Sequence, residues 1–201
     1  MLRSQDAVLV VVDVQNRLLP QIAGREDLLA NVIRAIRGFQ IVGAPILVTE
    51  QYRRGLGATH PAIQHAMLDP QTADQPVDLS LPDDPHESVP RFEPLEKMSF
   101  SCADDPPFLE ALDGAGRRQV VLCGIEAHVC VLQTALQLIP RGYEVTIVAD
   151  AVSSRHPRNL EIALRRMEQE GAHLETAEST IFQMLEMCGT PAFKRWLQII
   201  R

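Results

Sequence analysis

The first strongly patterned stretch is AVLVVVDV at residues 7–14, a near-continuous β-branched run with no polar alternation. That is the pattern of a strand covered on both faces, central in a parallel sheet. Residues 27–42 follow with Leu28, Val32, Ala35, Ile36 and Phe39 at helical spacing, and Gly43 supplies a stop. PILVTE at 45–50 is the second strand. From 51 to 94 the chain is rich in Pro, Asp, Gly and His and has little periodicity. It is expected to form long loops around one short helix, and long irregular segments in a compact domain often carry function.

Regularity returns with QVVLCG at 119–124, a second buried-strand pattern, followed by a helix over 127–139 with a broad apolar face. Pro140 and Gly142 close that helix, and YEVTIVADA at 143–151 begins the next strand, completing a right-handed βαβ unit. A helix over 157–170, an edge strand in AHLETA and a helical tail to residue 201 complete the reading. Strands alternating with helices predict an α/β fold in three layers, αβα, with a mostly parallel sheet. The chain of 201 residues, 46% hydrophobic and without a linker-like tract, is expected to form a single domain over 1–201.

Charge and cysteine usage narrow the function classes. A formal net charge of -7, with scattered Lys and Arg, argues against a nucleic-acid partner. The N-terminal apolar run is broken by Asp13, too short for a membrane span, and no small-residue cleavage site follows. Cys102, Cys123, Cys130 and Cys188 form neither a CxxC pair nor a zinc-spaced cluster with histidine, so reduced thiols in a cytoplasmic protein are expected, with no metal and no cofactor.

In folds of this class ligands bind beyond the carboxyl ends of the strands, where strand order reverses. Asp13 ends the first buried run, and Cys130 starts the helix after the VVLCG strand. If those strands are neighbours, the two side chains face each other. A helix N-terminus lowers a thiol pKa and a carboxylate can take its proton, so Cys130 fits a nucleophile; taken alone it fits a buried helix cysteine equally well. Asp13 alone fits a base or a turn residue. Cys123, inside an apolar strand, reads as packing. Gly124 fits either a simple turn or a tight turn that aims backbone N–H groups into an oxyanion hole. His128, so close to Cys130 on a first helical turn, points elsewhere. Lys97, in EKMSFSCADD at 96–105, reads as a solvated surface charge or as a charge held beside a carboxylate and a thiol.

Together VVVDVQ at 10–15, EKMSFS at 96–101 and GIEAHVCVLQTAL at 124–136 resemble the isochorismatase-like cysteine hydrolases. TEQYRRGLG at 49–57 and VADAVSSR at 148–155 further resemble the branch of animal isochorismatase-domain proteins. The resemblance implies a Rossmann-like six-stranded sheet of order 3-2-1-4-5-6 and a triad of Asp13, Lys97 and Cys130. It also implies a cis peptide between Ile125 and Glu126, and oxyanion donors in the N–H groups of Glu126 and Cys130. Tyr52, Leu56 and Phe100 become candidate substrate-binding walls, and a homo-oligomer is implied. Where metal-containing nicotinamidases carry Asp-x-His after the second strand, this chain has Glu50, Gln51 and Tyr52, and His60, His65 and His86 are expected at the surface.

The leading expectation is a metal-free cysteine hydrolase of a small amide-like substrate. The alternatives are vinyl-ether hydrolysis of the isochorismate type and a non-catalytic oligomeric binding protein that keeps the fold. A phosphatase with an Asp13 nucleophile fails locally, because Gln15 stands where its second aspartate belongs.

Overall fold

All six side chains of β1 (Ala7–Val12) are buried, three on each face of the sheet. In this computed structural model, which describes residues 1–69, 80–87 and 91–200, β1 pairs in parallel with β2 (Ile46–Gln51) on one side. Between them runs α1 (Arg25–Val42). The short helices α2 (Arg53–Leu56) and α3 (Pro61–Leu68) lead toward β3 (Leu95–Lys97), which pairs with β2. After α4 (Pro106–Ala115), β4 (Gln119–Ile125) takes the other side of β1. There follow α5 (Leu132–Leu138), β5 (Glu144–Ser153), α6 (Pro157–Gln169), edge strand β6 (His173–Glu175), α7 (Ala177–Leu185) and α8 (Pro191–Ile199). The sheet order is β3-β2-β1-β4-β5-β6, every pair parallel, as the family resemblance implied.

Two apolar cores explain why the central runs do not alternate. Leu9 and Val11 join α1 residues such as Ile36 and Phe39, with Ile181 of α7 and Trp196 of α8, on one face. Val8, Val10 and Val12 join Phe108 and Leu112 of α4, Leu138 of α5 and Met167 of α6 on the other. Each strand residue is therefore taken out of water whichever way it points, which is the condition for an all-apolar strand. Among the described residues no helix is long and apolar enough to cross a membrane.

The segment expected to be loops around one short helix holds two, α2 and α3, and the short strand β3 follows directly after it. Each is only three to eight residues long, too short for hydrophobic periodicity to register. His60 is also a correction. It is fully buried, because its N–H donates to the Val14 carbonyl (2.9 Å) and its Nδ1 accepts the Ala62 N–H (3.2 Å) to cap α3. His65 is exposed and His86 half-buried.

Near the end of β4 the backbone of β1 leaves no room for a side chain. Gly124 has φ of 112°, and a Cβ placed there would lie 2.1 Å from the Val12 carbonyl oxygen. Backbone cannot move aside as a flexible side chain can. Gly124→Ala is therefore expected to lower unfolding free energy by about 3 kcal/mol or more, from strain plus the clash, measured by urea denaturation. A loss below about 1 kcal/mol would mean that β1 and β4 can separate here.

Candidate active site

β1 stops at Asp13, whose φ of 53° turns the chain out of the sheet, and its carboxylate is fully buried. Such a group needs a counter-charge and donors. Lys97 supplies the charge: its Nζ donates to Asp13 Oδ2 at 2.7 Å, with both side chains at most 1% exposed. β2 lies between β1 and β3, so this lysine spans two strand spacings, roughly 9–10 Å. Only a long side chain at the end of β3 makes that reach.

The ammonium is held from four directions. Besides Asp13 it meets Gln51 Oε1 (2.7 Å) and the carbonyls of Phe100 (3.1 Å) and Ser99 (3.2 Å). Three N–H bonds thus face four protein acceptors. Gln51 Nε2 donates to the Met98 carbonyl (2.8 Å), which fixes the oxygen end of that amide toward Lys97. Gln15 in turn clamps the Gln51 backbone, accepting its N–H (2.8 Å) and donating to its carbonyl (3.1 Å). On the other oxygen, Thr49 Oγ1 donates to Asp13 Oδ1 at 2.7 Å.

Cys130 arrives from β4. The Ile125–Glu126 peptide is cis, and residues Ala127–Val131 form a wide turn in which the Val131 N–H reaches the Glu126 carbonyl (3.3 Å). Such π-type turns recur at functional sites. Cys130 is 5% exposed, and its thiol stands close enough to the Asp13 carboxylate and the Lys97 ammonium to feel both charges. Asp13, Lys97 and Cys130, far apart in the chain, therefore meet at the carboxyl ends of β1, β3 and β4.

The electrostatics depart from the expectation that the helix terminus lowers the Cys130 pKa. Burial, then the Asp13 charge, push the thiol well above its ordinary value, and the opposing pull of Lys97 is the smaller effect. Burial by itself would lower Lys97; Asp13, followed by Cys102 and Cys130, outweighs it and holds the ammonium above its usual range. Both groups thus rest protonated at neutral pH. Cys102, fully buried nearby, is pushed up to about 12, first by burial and then by Asp13. Cys123, whose Sγ lies 3.8 Å from the Val10 carbonyl within the core, is raised by burial and then by Asp150.

The remaining residues of the turn face away. Glu126 accepts Arg155 Nε on both oxygens (3.1 and 3.2 Å) and the Arg155 N–H (2.9 Å). His128 contacts Ser154 Oγ (3.0 Å) and Asn159 Nδ2 (3.3 Å), off toward β5 and α6. Phe100 lends Lys97 its carbonyl while its ring is 56% exposed; Tyr52 is 45% exposed and Leu56 half-buried. Glu50 is occupied within the fold, by Thr59 N–H (2.6 Å) and Oγ1 (2.8 Å) and by Arg53 (3.0 Å). Among the described residues no group of three or more His, Cys, Asp or Glu side chains gathers as a metal site. The residues missed from sequence are Thr49, Gln51 as an acceptor for Lys97, and Cys102. The one signal for Thr49 and Gln51 was a polar TEQ at the end of the second strand, and Cys102 had none.

Comparison with known proteins places these elements in a wider context. Residues 7–179 match the family model described as the isochorismatase domain. The chain is 34% identical to mouse isochorismatase domain-containing protein 2A over 198 residues, 98% of this chain and 84% of that one. Its structure resembles that described as MAR1 ribonuclease from Caenorhabditis elegans, with a TM-score of 0.82 and 32% identity, covering 99% of this chain and 91% of that one. It also shares its fold with the YcaC gene product of Escherichia coli, described as an octameric hydrolase of unknown specificity (TM-score 0.78, 22% identity, 92% and 82% covered).

The raised thiols set a stability profile. Unfolding frees Cys102, Cys123 and Cys130 to ionise near the ordinary thiol range, whereas folded they stay protonated, so the unfolded state binds fewer protons above about pH 9. Stability is therefore full below that pH and lost as pH rises, by about 1.4 kcal/mol per pH unit for each thiol. Cys123→Ala should make the fall near pH 10 shallower by about that amount in urea titrations; an unchanged slope would contradict the buried, protonated assignment.

Proposed function

The chain belongs to the isochorismatase family, and on that premise we propose that it is a metal-free cysteine hydrolase of a small amide-like or related acyl substrate. The observation that carries the reading is the Cys130 thiol beside a buried, lysine-paired carboxylate. A protonated thiol is a poor nucleophile, but here a proton acceptor stands beside it.

In the proposed cycle Asp13 takes the thiol proton as sulfur attacks the substrate carbonyl carbon. The carbonyl π electrons move onto oxygen, where the backbone N–H groups of Glu126 and Cys130 receive the developing charge. The C–N bond then breaks, Asp13 returns the proton to the departing nitrogen, and an acyl thioester remains on Cys130. Water attacks that thioester while Asp13 takes one of its protons; the C–S bond breaks, the acid leaves and the proton returns to sulfur. Lys97, its N–H bonds directed at protein acceptors, acts as a fixed charge and does not donate a proton. Cys130 at 5% exposure favours a small substrate, for which Tyr52, Leu56 and Phe100 are proposed as walls.

The retained cysteine favours acyl chemistry over isochorismate-type vinyl-ether hydrolysis, and the intact trio opposes a non-catalytic binding role. We further propose a single domain, a homo-oligomer and a reducing, cytoplasmic setting that keeps the four thiols free. The test is a screen of small amides, ureides, isochorismate and RNA, the last because of the description of the C. elegans relative. One amide or ureide should be hydrolysed, with Cys130→Ala inactive and Asp13→Asn slowed about 10²–10⁴-fold. Turnover that survives Cys130→Ala would sink the thioester mechanism. Cysteine-dependent cleavage of RNA would replace the amide substrate, against what a net charge of -7 favours.

A further inference from the structure

Asp13 is gripped on both oxygens, and only one grip is the ion pair. Thr49, fully buried on β2 opposite Val12, donates its hydroxyl to Asp13 Oδ1 at 2.7 Å, and its carbonyl accepts the Asp13 N–H at 3.2 Å. With Lys97 on Oδ2, the carboxylate cannot rotate without giving up a charge-assisted hydrogen bond. The direction of the Thr49 bond is settled by chemistry, since an ionised carboxylate accepts only.

Cys102 stands behind the threonine. Its Sγ lies 3.9 Å from Thr49 Oγ1, inside the fold, where the thiol keeps its proton and points it at the Thr49 lone pair. The hydroxyl proton is thereby left to Asp13. The Cys102 N–H donates to Thr134 Oγ1 (2.9 Å), which donates to the Cys130 carbonyl (2.7 Å). One short turn, Cys102–Asp104, thus touches the holder of the base through its side chain and the holder of the nucleophile through its backbone.

We infer that Thr49 is a positioning residue for the hydrolysis proposed above, fixing the Asp13 carboxylate toward the Cys130 thiol, with Cys102 ordering the Thr49 hydroxyl. The inference rests on the reading of Asp13 as the base for Cys130. The charged and titratable groups that face Asp13 are Lys97 from β3, Cys130 from the turn after β4 and Cys102 from the turn after β3.

The test needs no substrate. Alkylation of Cys130 by iodoacetamide at pH 7.5 is followed by peptide mass spectrometry in the full-length protein, with exposed Cys188 as the internal reference. Thr49→Val keeps the shape and removes the hydroxyl, and is expected to slow Cys130 about tenfold relative to Cys188, while Thr49→Ser stays within about threefold of the native rate. In an Asp13→Asn background Thr49→Val should change the rate less than about twofold, because its effect passes through the carboxylate.

A native rate in Thr49→Val, or an undiminished tenfold loss in the Asp13→Asn background, overturns the inference while leaving the hydrolase reading intact. Equal rates for the native protein and Asp13→Asn would overturn both. Should Thr49→Val fail to fold, Thr49→Ala adds no new contact and carries the same expectation and the same refutation.

Discussion

An ammonium and a carboxylate 2.7 Å apart, neither more than 1% exposed, are the constraint around which the rest of the site is arranged. Taking both from water costs several kcal/mol per ion, and their attraction recovers this only if the remaining hydrogen-bonding capacity is filled. The fold supplies Gln51 and two carbonyls to the lysine and Thr49 to the aspartate, and Gln15 then holds Gln51. The ends of three adjacent strands are thereby fixed with respect to one another. Gln15 after β1, and Thr49 and Gln51 at the end of β2, form the solvation shell of one ion pair, which is why residues from elements so distant in sequence converge there.

That pair also sets the state of the nucleophile. Reactive thiols in proteins are usually kept ionised by nearby positive charge; here burial raises the thiol first, and the Asp13 carboxylate adds to its effect. On the proposed reading the sulfur is therefore not a standing thiolate. It becomes nucleophilic only as Asp13 removes its proton, and the same carboxylate holds that proton for the leaving nitrogen. The two steps need one base in one position, which gives a purpose to gripping both carboxylate oxygens.

Around this centre the second polar network is kept apart. Glu126 and His128 share the turn with Cys130 but engage Arg155, Ser154 and Asn159 on the β5 and α6 side. The sequence CGIEAHVC holds every type of group needed for a Cys/His/Glu relay, yet the turn sends the histidine and glutamate toward β5 and α6 and the thiol toward Asp13. Proximity in sequence thus misleads, while Asp13 and Lys97, separated by 84 positions, are in contact.

The layered architecture was legible from local pattern, because strands buried on both faces must be apolar throughout and the helices between them must bury one stripe. Asp13 and Cys130 could be singled out because each ends or follows such a run, and Lys97 because its motif occurs with theirs in one family. Short α2, α3 and β3 escaped, being held by tertiary contacts and not by periodicity. Thr49, Gln51 and Cys102 escaped for a related reason: a polar side chain at a strand end has many potential partners, and only the packed sheet chooses among residues 36, 46 or 53 positions apart. The direction of the Cys130 shift likewise belonged to the tertiary structure. Sequence places a thiol at a helix start, but burial and the distance to a carboxylate decide whether the proton stays on sulfur, and both exist only once the chain has folded.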